Sequence, residues 1–168
     1  MDKLLYFSYG SNMSTPRIKH RTRSATAIAT ALLYEHSLRF HKKSVDGSAK
    51  CDIMHTRNPD DIVYGVVYEM LASEKQILDQ IEGLGSGYDE KHVSVILPQG
   101  AELEVVTYFA TDIDASLRPY HWYKEHVIRG AREHALPDEH IAAIESITSI
   151  TDPDQDNHLI ELSIYSSS

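Results

Sequence analysis

The chain has 168 residues, one cysteine and a net charge of −9 at pH 7, with 42% hydrophobic and 24% charged residues. A chain of this size buries enough apolar surface to fold without disulfides or metals, so we expect a single domain over 1–168. The acidic balance argues against binding to a nucleic-acid backbone, and no apolar run approaches the roughly 18 residues that span a membrane. The N-terminus has neither the basic start nor the apolar run of a secretory signal, which together with the lone cysteine predicts a cytoplasmic protein.

The N-terminal segment changes character abruptly after Tyr9. Leu4 to Tyr9 is apolar and aromatic, as is typical of a buried strand, whereas Gly10-Ser11-Asn12 consists of residues that favour turns. Such a turn either reverses the chain or presents backbone N–H groups to a ligand, and the local sequence leaves both alternatives open.

The segment after this turn is basic. Thr15 followed by Pro16 predicts the N-cap and first turn of a short helix. This helix and the residues after it carry the basic cluster of the chain, which we expect to face solvent and not to bind an anion. The members of the cluster are Arg17, Lys19, His20, Arg21 and Arg23.

Strand patterns dominate the first two thirds of the chain. Apolar residues alternate from Ala31 to Lys42 and predict one long, half-buried strand. Ile62 to Met70, His92 to Leu97 and Leu103 to Thr111 predict further strands, the last two joined by a hairpin turn at 98–101.

Helix patterns lie between these strands and after them. Ser73 and Gln76 form a capping-box pattern before a helix that runs through Glu82 and ends at Gly83. Further predictions, in chain order, are helices over 119–135 and 137–147 and a closing strand over 158–164. Strands and helices without regular βαβ alternation indicate an α+β domain on a mixed, mostly antiparallel sheet. Only the end of the chain, from Tyr165, has the composition of a frayed tail, which we place at 166–168.

Glu82 is the strongest candidate for acid–base chemistry. It flanks the apolar stripe of its predicted helix, formed by Ile77, Leu78 and Ile81, which would partly desolvate it. It also lies in the last turn, at the negative end of the helix dipole and three residues after Asp79. Burial, dipole and like charge all favour a proton-bound carboxyl, as a general acid–base group near neutrality requires. The alternative is an ordinary surface glutamate at a helix end.

Other catalytic patterns are incomplete. The glycine-rich segment from Gly83 to Tyr88 follows a helix and lacks a Lys-Ser or Lys-Thr pair, so it is no phosphate loop but a connection that could cover a pocket. None of the ten histidines has metal-ligand spacing, and no Gly-x-Ser-x-Gly elbow is present. Cys51 is expected to be a small buried residue, and the aromatic group Tyr120, Trp122 and Tyr123 to be core or pocket wall.

Two ordered motifs resemble those of the γ-glutamylcyclotransferase family. They are Tyr-Gly-Ser-Asn at 9–12, after the first strand, and Leu-Asp-x-x-Glu-Gly at 78–83. A Gly-Val-Val-Tyr stretch at 65–68 lies between them, and Tyr88 follows one residue closer to the glutamate than in the animal enzymes. The likeness continues through Tyr123-Lys124 and 130–137, so that it covers about residues 4–147.

The resemblance implies a small barrel-like sheet flanked by helices, with the turn lining a cavity for a small-molecule substrate. It implies that Glu82 is the catalytic residue. The implied substrate-binding residues are Tyr9, Gly10, Ser11, Asn12, Tyr88 and Tyr123. The implied activity, of lyase or acyltransferase type, releases 5-oxoproline and a free amino acid or amine from a γ-glutamyl compound, without a metal or cofactor. Since some family members pair, a homodimer is an open alternative to a monomer, and a non-catalytic binding or interaction module with the same cavity is the alternative function.

Overall fold

The computed structural model describes residues 1–166, and its centre is a closed β-barrel beside a separate two-stranded sheet. The strands are β1 (Lys3–Ser8), β2 (Thr26–Tyr34), β3 (His36–Lys43), β4 (Ala49–His55), β5 (Ile62–Leu71), β6 (Tyr88–Ile96) and β7 (Glu102–Ala110). The barrel order is β1-β5-β2-β6-β7, with antiparallel neighbours throughout except where β1 and β7 close it in parallel. Strands β3 and β4 form the second sheet, so the predicted α+β fold with a mixed, mostly antiparallel barrel is confirmed.

Within residues 1–166, five helices surround this framework. They are α1 (Thr15–Arg21), α2 (Ala72–Glu82), α3 (His121–Glu133), α4 (Asp138–Glu145) and α5 (Gln155–Ser163), and a short 3-10 turn (Ser11–Met13) follows β1. None of these helices, within residues 1–166, has both the length and the apolar character needed to cross a membrane.

Strand β5 is buried on both faces, since its outward side chains are covered as well: Tyr68 donates to the Met13 carbonyl at 2.8 Å and packs edge-on against His134. Val66, Val67 and Tyr68 are consecutive and fully buried, a pattern that a half-exposed strand would not show. Gly65 lets β1 approach, since a Cβ there would lie 2.4 Å from the Ser8 carbonyl oxygen and 2.7 Å from the Phe7 ring. The glycine in the 65–68 motif therefore has a packing role in the barrel wall.

The predicted long strand over 31–42 is wrong, because the chain forms two strands that turn at Glu35. Glu35 adopts the left-handed conformation with φ of 64°, which ends β2 in the barrel and starts β3 in the other sheet. Its N–H donates to the Asp61 carbonyl and its own carbonyl accepts from Thr56 N–H, so the corner is fully bonded. The period-two pattern runs through the corner and could not reveal it. Strand β4 was not predicted.

The predicted strand over 158–164 is also wrong, because these residues belong mainly to α5. The Asp154 side chain caps this helix by accepting the Asn157 N–H, a signal that precedes the predicted strand. The chain remains ordered at Tyr165, whose hydroxyl bonds Ser14 and His126. Of the frayed tail predicted at 166–168, residues 167–168 lie outside the described residues.

Helix starts differ from the predictions and helix α2 ends where predicted. Ser14, not Thr15, is the N-cap of α1, and α2 starts after Leu71 without the expected side-chain cap from Ser73. Gly83 terminates α2 in the left-handed conformation, with φ of 76°. The end of α2 is therefore well defined at the residue that follows Glu82.

Candidate active site

Glu82 and the 9–12 turn meet at one end of the barrel. Ser8, at the end of β1, pairs with Val66, whereas Lys3 pairs with Leu71 at the far end of β5. Helix α2 starts at that far end and its 11 residues run back by about 16 Å. This return brings Glu82 level with the turn, where Asn12 Nδ2 donates to Glu82 Oε1 at 2.9 Å.

The turn and the surrounding tyrosines enclose an inner cavity of about 30 Å³. Its lining contains every residue predicted for the site, together with three that were not predicted. The predicted ones are Tyr9, Gly10, Ser11, Asn12, Glu82, Tyr88 and Tyr123, and the others are Tyr6, Cys51 and Tyr108. The space suffices for a small polar group such as a carboxylate, or for one or two waters.

The tyrosine hydroxyls are fixed by backbone groups. Tyr9 donates to the Tyr108 carbonyl at 2.8 Å, and Tyr88 donates to the Cys51 carbonyl at 2.6 Å. The Tyr123 hydroxyl accepts the Cys51 N–H at 2.9 Å, which leaves its own proton to donate. Burial raises the pKa of Tyr9, Tyr88 and Tyr123 well above the ordinary value, so these hydroxyls are neutral donors.

The Glu82 carboxylate is partly buried and held through one oxygen. Its side chain is 17% exposed, and both Asn12 Nδ2 and Arg21 Nη1, the latter at 3.0 Å, bind Oε1. Arg21 also donates to Asn12 Oδ1 at 3.2 Å, which fixes the amide. Within residues 1–166, Oε2 accepts no hydrogen bond, so this oxygen is available to a substrate.

The surroundings of Glu82 differ in two respects from the prediction. The apolar stripe is reduced to Leu78, which is fully buried, because Ile77 and Ile81 are each 46% exposed. The Asp79 carboxylate forms an ion pair with Lys75 and accepts a hydrogen bond from the Tyr108 hydroxyl at 2.5 Å, so its charge is partly neutralised. In addition, Arg21 is a cationic partner of the Glu82 carboxylate that the sequence did not indicate.

The sequence predicted that the whole basic cluster faces solvent. This is wrong for Arg17 and Arg21, which face the site. Arg17 is buried and donates to the Ser11 hydroxyl at 3.1 Å and to Glu161 at 2.6 Å. The two arginines are four residues apart and so share one helix face. Lys19, His20 and Arg23 are exposed, as expected.

Cys51 forms part of the cavity wall where Gly10 approaches it. A Cβ at Gly10 would lie 3.0 Å from Cys51 Cβ and 3.4 Å from the Tyr123 hydroxyl, so the contact favours glycine. Burial raises the pKa of the Cys51 thiol to about 12, which makes it a poor nucleophile near neutrality. The prediction of a small buried residue is confirmed.

In the described part of the chain, no three His, Cys, Asp or Glu side chains are grouped to hold a metal ion.

An outer cleft of about 400 Å³ adjoins the inner cavity. Ser11, Glu82, Tyr88 and Tyr123 line both spaces and so mark the junction between them. The cleft walls come from α1, α3, α5, the end of α2, the start of β6 and the hairpin formed by β3 and β4. Its cationic residues are Arg17, Arg21, Lys42 and Lys50, of which the lysines carried no sequence signal.

Helix α5 contributes Glu161 to the cleft and is hydrogen-bonded to α3 through His126. His126 Nδ1 lies 2.6 Å from the Tyr165 hydroxyl, and its Nε2 lies 3.0 Å from Glu161 Oε1. Burial lowers the pKa of His126 to about 4, so the neutral ring accepts from Tyr165 and donates to Glu161. Burial alone would raise the pKa of Glu161, but the His126 hydrogen bond and the charge of Arg17 bring it to about 2.

The buried His126 predicts a loss of stability on mild acidification. His126 takes up a proton near pH 6.5 in the unfolded chain but only near pH 4 in the folded chain. The stability that neutral His126 contributes is therefore complete above pH 6.5 and is lost as the pH falls from 6.5 to 4. We expect His126 to account for about 1–3 kcal/mol of the fall in unfolding free energy between pH 7 and 4. Urea unfolding at a series of pH values gives the unfolding free energy as a function of pH. This free energy should fall less steeply with falling pH for His126→Gln than for the wild type or for the exposed His20→Gln. Equal slopes would contradict the assignment.

Comparison with known proteins gives consistent relatives over most of the chain. A family model for the AIG2-like family matches residues 62–144. Gamma-glutamylcyclotransferases of Homo sapiens and Bos taurus are 33% and 34% identical over 156 and 153 residues, which is 87% of this chain and 79% of each relative. A solved gamma-glutamyl cyclotransferase structure superposes with a TM-score of 0.85 at 30% identity, over 99% of this chain and 100% of its own. The similarity therefore includes both the barrel and the helices around it.

Proposed function

Because the chain belongs to the γ-glutamylcyclotransferase family, we propose that it converts a γ-glutamyl compound to 5-oxoproline and a free amino acid or amine, with Glu82 as general base and acid. One observation supports this proposal: Glu82, a partly buried carboxylate held through Oε1, lines both the inner cavity and the outer cleft. A binding module would not require a proton acceptor at that junction.

The reaction is an intramolecular acyl transfer. The α-amine nitrogen attacks the γ-carbonyl carbon and closes a five-membered ring, and the bond from that carbon to the leaving nitrogen breaks. Glu82 removes a proton from the α-amino group and then returns it to the leaving nitrogen, so no external nucleophile is consumed. Holding the substrate in its curled conformation supplies up to about 7–11 kcal/mol in favourable intramolecular cases.

The inner cavity supplies donors for the charged parts of the substrate. The first N–H groups of the 3-10 turn that begins at Ser11 have no acceptor within that turn, and Gly10 allows a close approach of the backbone. These groups and the Tyr123 hydroxyl would bind the substrate α-carboxylate or the oxyanion that forms on the γ-carbonyl. We assign the α-carboxylate to this cavity, which would leave the reacting carbon at the junction beside Glu82.

A panel of substrates tests the proposed activity directly. We expect the purified protein to release 5-oxoproline from at least one of γ-glutamyl-alanine, glutathione and ε-(γ-glutamyl)-lysine, measured by chromatography. Circular dichroism would establish in parallel that the protein is folded. A folded protein that releases no 5-oxoproline from any of them would contradict the proposal and favour the binding module.

A cytoplasmic location, predicted from the sequence, belongs to this proposal, and fractionation of the source cells would test it.

A further inference from the structure

The outer cleft contains more cationic than anionic side chains, and among residues 1–166 two of its cations have no hydrogen-bond acceptor. Arg17 pairs with Glu161 at 2.6 Å and Arg21 with Glu82 at 3.0 Å. Lys42 has no carboxylate within 4 Å in residues 1–166, although its side chain is buried. An anionic ligand would therefore complement the charge of this cleft.

Lys50 is the more unusual of the two lysines. Its side chain is 15% exposed, and the carboxylate of Asp46 is 3.7 Å away, beyond hydrogen-bond distance. Among the described residues, no acceptor lies close enough to bond its ammonium. Burial, together with the nearby guanidinium groups of Arg17 and Arg21, lowers the pKa of Lys50 to about 8.

Aromatic faces hold the ammonium of Lys50 instead of hydrogen-bond acceptors. The Nζ atom lies 4.3 Å from the centre of the Trp122 ring and 4.4 Å from that of Tyr123. Lys42 is held similarly, with Nζ 4.7 Å from the centre of the Tyr88 ring. Ring faces position an ammonium but satisfy none of its N–H donors, so both lysines keep donors for a ligand.

The position of Lys50 places it on the leaving-group side of the reaction. The adjacent residue, Cys51, lines the inner cavity, whereas Lys50 lines the outer cleft, and Tyr123 lies between them as a wall of both. If the γ-glutamyl group is bound at the inner cavity, the leaving group extends past Tyr123 into the outer cleft. It then meets Lys50 and Lys42.

We propose that Lys50, assisted by Lys42, forms a subsite for the carboxylate of the leaving amino acid, so that the protein prefers γ-glutamyl amino acids and peptides to γ-glutamylamines without that group. This inference rests on the proposed function. A carboxylate accepts two charge-assisted hydrogen bonds from such ammonium groups. The ring contacts hold the donors in position before the substrate arrives, which lowers the cost of ordering them on binding.

Two matched substrates test the subsite. γ-Glutamyl-alanine and γ-glutamyl-alaninamide differ by the carboxylate alone, and both release 5-oxoproline. We expect the wild type to prefer the acid, by the ratio of kcat/KM, by about tenfold or more. Lys50→Met should reduce this ratio at least fivefold, Lys50→Arg should retain most of it, and the exposed Lys43→Met should leave it unchanged.

Several results would overturn the subsite. One is a wild type with equal kcat/KM for the acid and the amide. Another is a Lys50→Met variant, shown to be folded by its thermal unfolding, that loses activity equally on both, since Lys50 would then bind the γ-glutamyl part. If the wild type turns over neither these two compounds nor glutathione nor ε-(γ-glutamyl)-lysine, the proposed function fails, and calorimetric binding of the acid and the amide to wild type and Lys50→Met still decides the subsite: equal affinities overturn it.

Discussion

Glu82→Gln should reduce kcat for 5-oxoproline release by about 10²–10⁴-fold while the protein stays folded. The amide oxygen of glutamine can still accept hydrogen bonds from Asn12 and Arg21, so the end of α2 should remain in place. What the variant lacks is a group that can take the proton from the α-amine and return it to the leaving nitrogen. Substrate binding, measured by calorimetry, should change far less than turnover.

A second glutamine substitution serves as the control for this result. Glu69 pairs with Lys3 at 3.4 Å and is 40% exposed, so Glu69→Gln removes a carboxylate without touching the site. We expect that variant to have wild-type kcat. If Glu82→Gln retained more than about a hundredth of the wild-type rate, general acid–base catalysis by Glu82 would be untenable.

Gly130→Ala should destabilise the protein by about 1–3 kcal/mol, although the same change in most helices is stabilising. Gly130 lies inside α3, where a Cβ would be 2.6 Å from both the Met13 carbonyl carbon and the Ser14 nitrogen. These are backbone atoms of the segment that directly follows Asn12, so relief of the clash must move α3 or the turn. A displaced turn would also lower kcat/KM.

The sign of the stability change makes this experiment decisive. Helix propensity alone predicts a gain of about 1 kcal/mol for Gly130→Ala. Ala143→Gly, at an exposed position of α4, measures that ordinary effect in the same protein and should cost up to about 1 kcal/mol. Urea unfolding of both variants gives the two free energies, and a stabilised Gly130→Ala would show that α3 does not press on the turn.

The parts of the site that could be predicted are those that short motifs encode. Tyr9 to Asn12 and Glu82 stand in ordered motifs, and Gly83 marks the end of α2 because glycine tolerates the left-handed conformation there. Most barrel strands could be predicted as well, since alternation or a continuous apolar run follows from burial of one face or both.

The remaining features depend on contacts between distant segments. Arg17 and Arg21 belong to a basic run that is usually solvated, and the acids that turn them inward, Glu161 and Glu82, lie 144 and 61 residues away. Lys50 precedes a strand residue of the cavity wall, and no local pattern separates it from the exposed Lys43. The corner at Glu35 requires one positive φ angle that alternation does not register.

That corner at Glu35 distributes the residues of the site over two sheets. The barrel and α2 carry Glu82 and the first half of the turn, whereas the hairpin beyond Glu35 carries Lys42, Lys50 and Cys51. Asp52 ties the hairpin to β7 through the Ala110 N–H, at 2.7 Å. Between these points the N–H groups of Lys43 and Ala49 also donate to the Asp112 and Arg118 carbonyls. Substitutions confined to the Lys42 and Lys50 side chains would therefore change the proposed leaving-group subsite while the hairpin backbone and the barrel stayed in place.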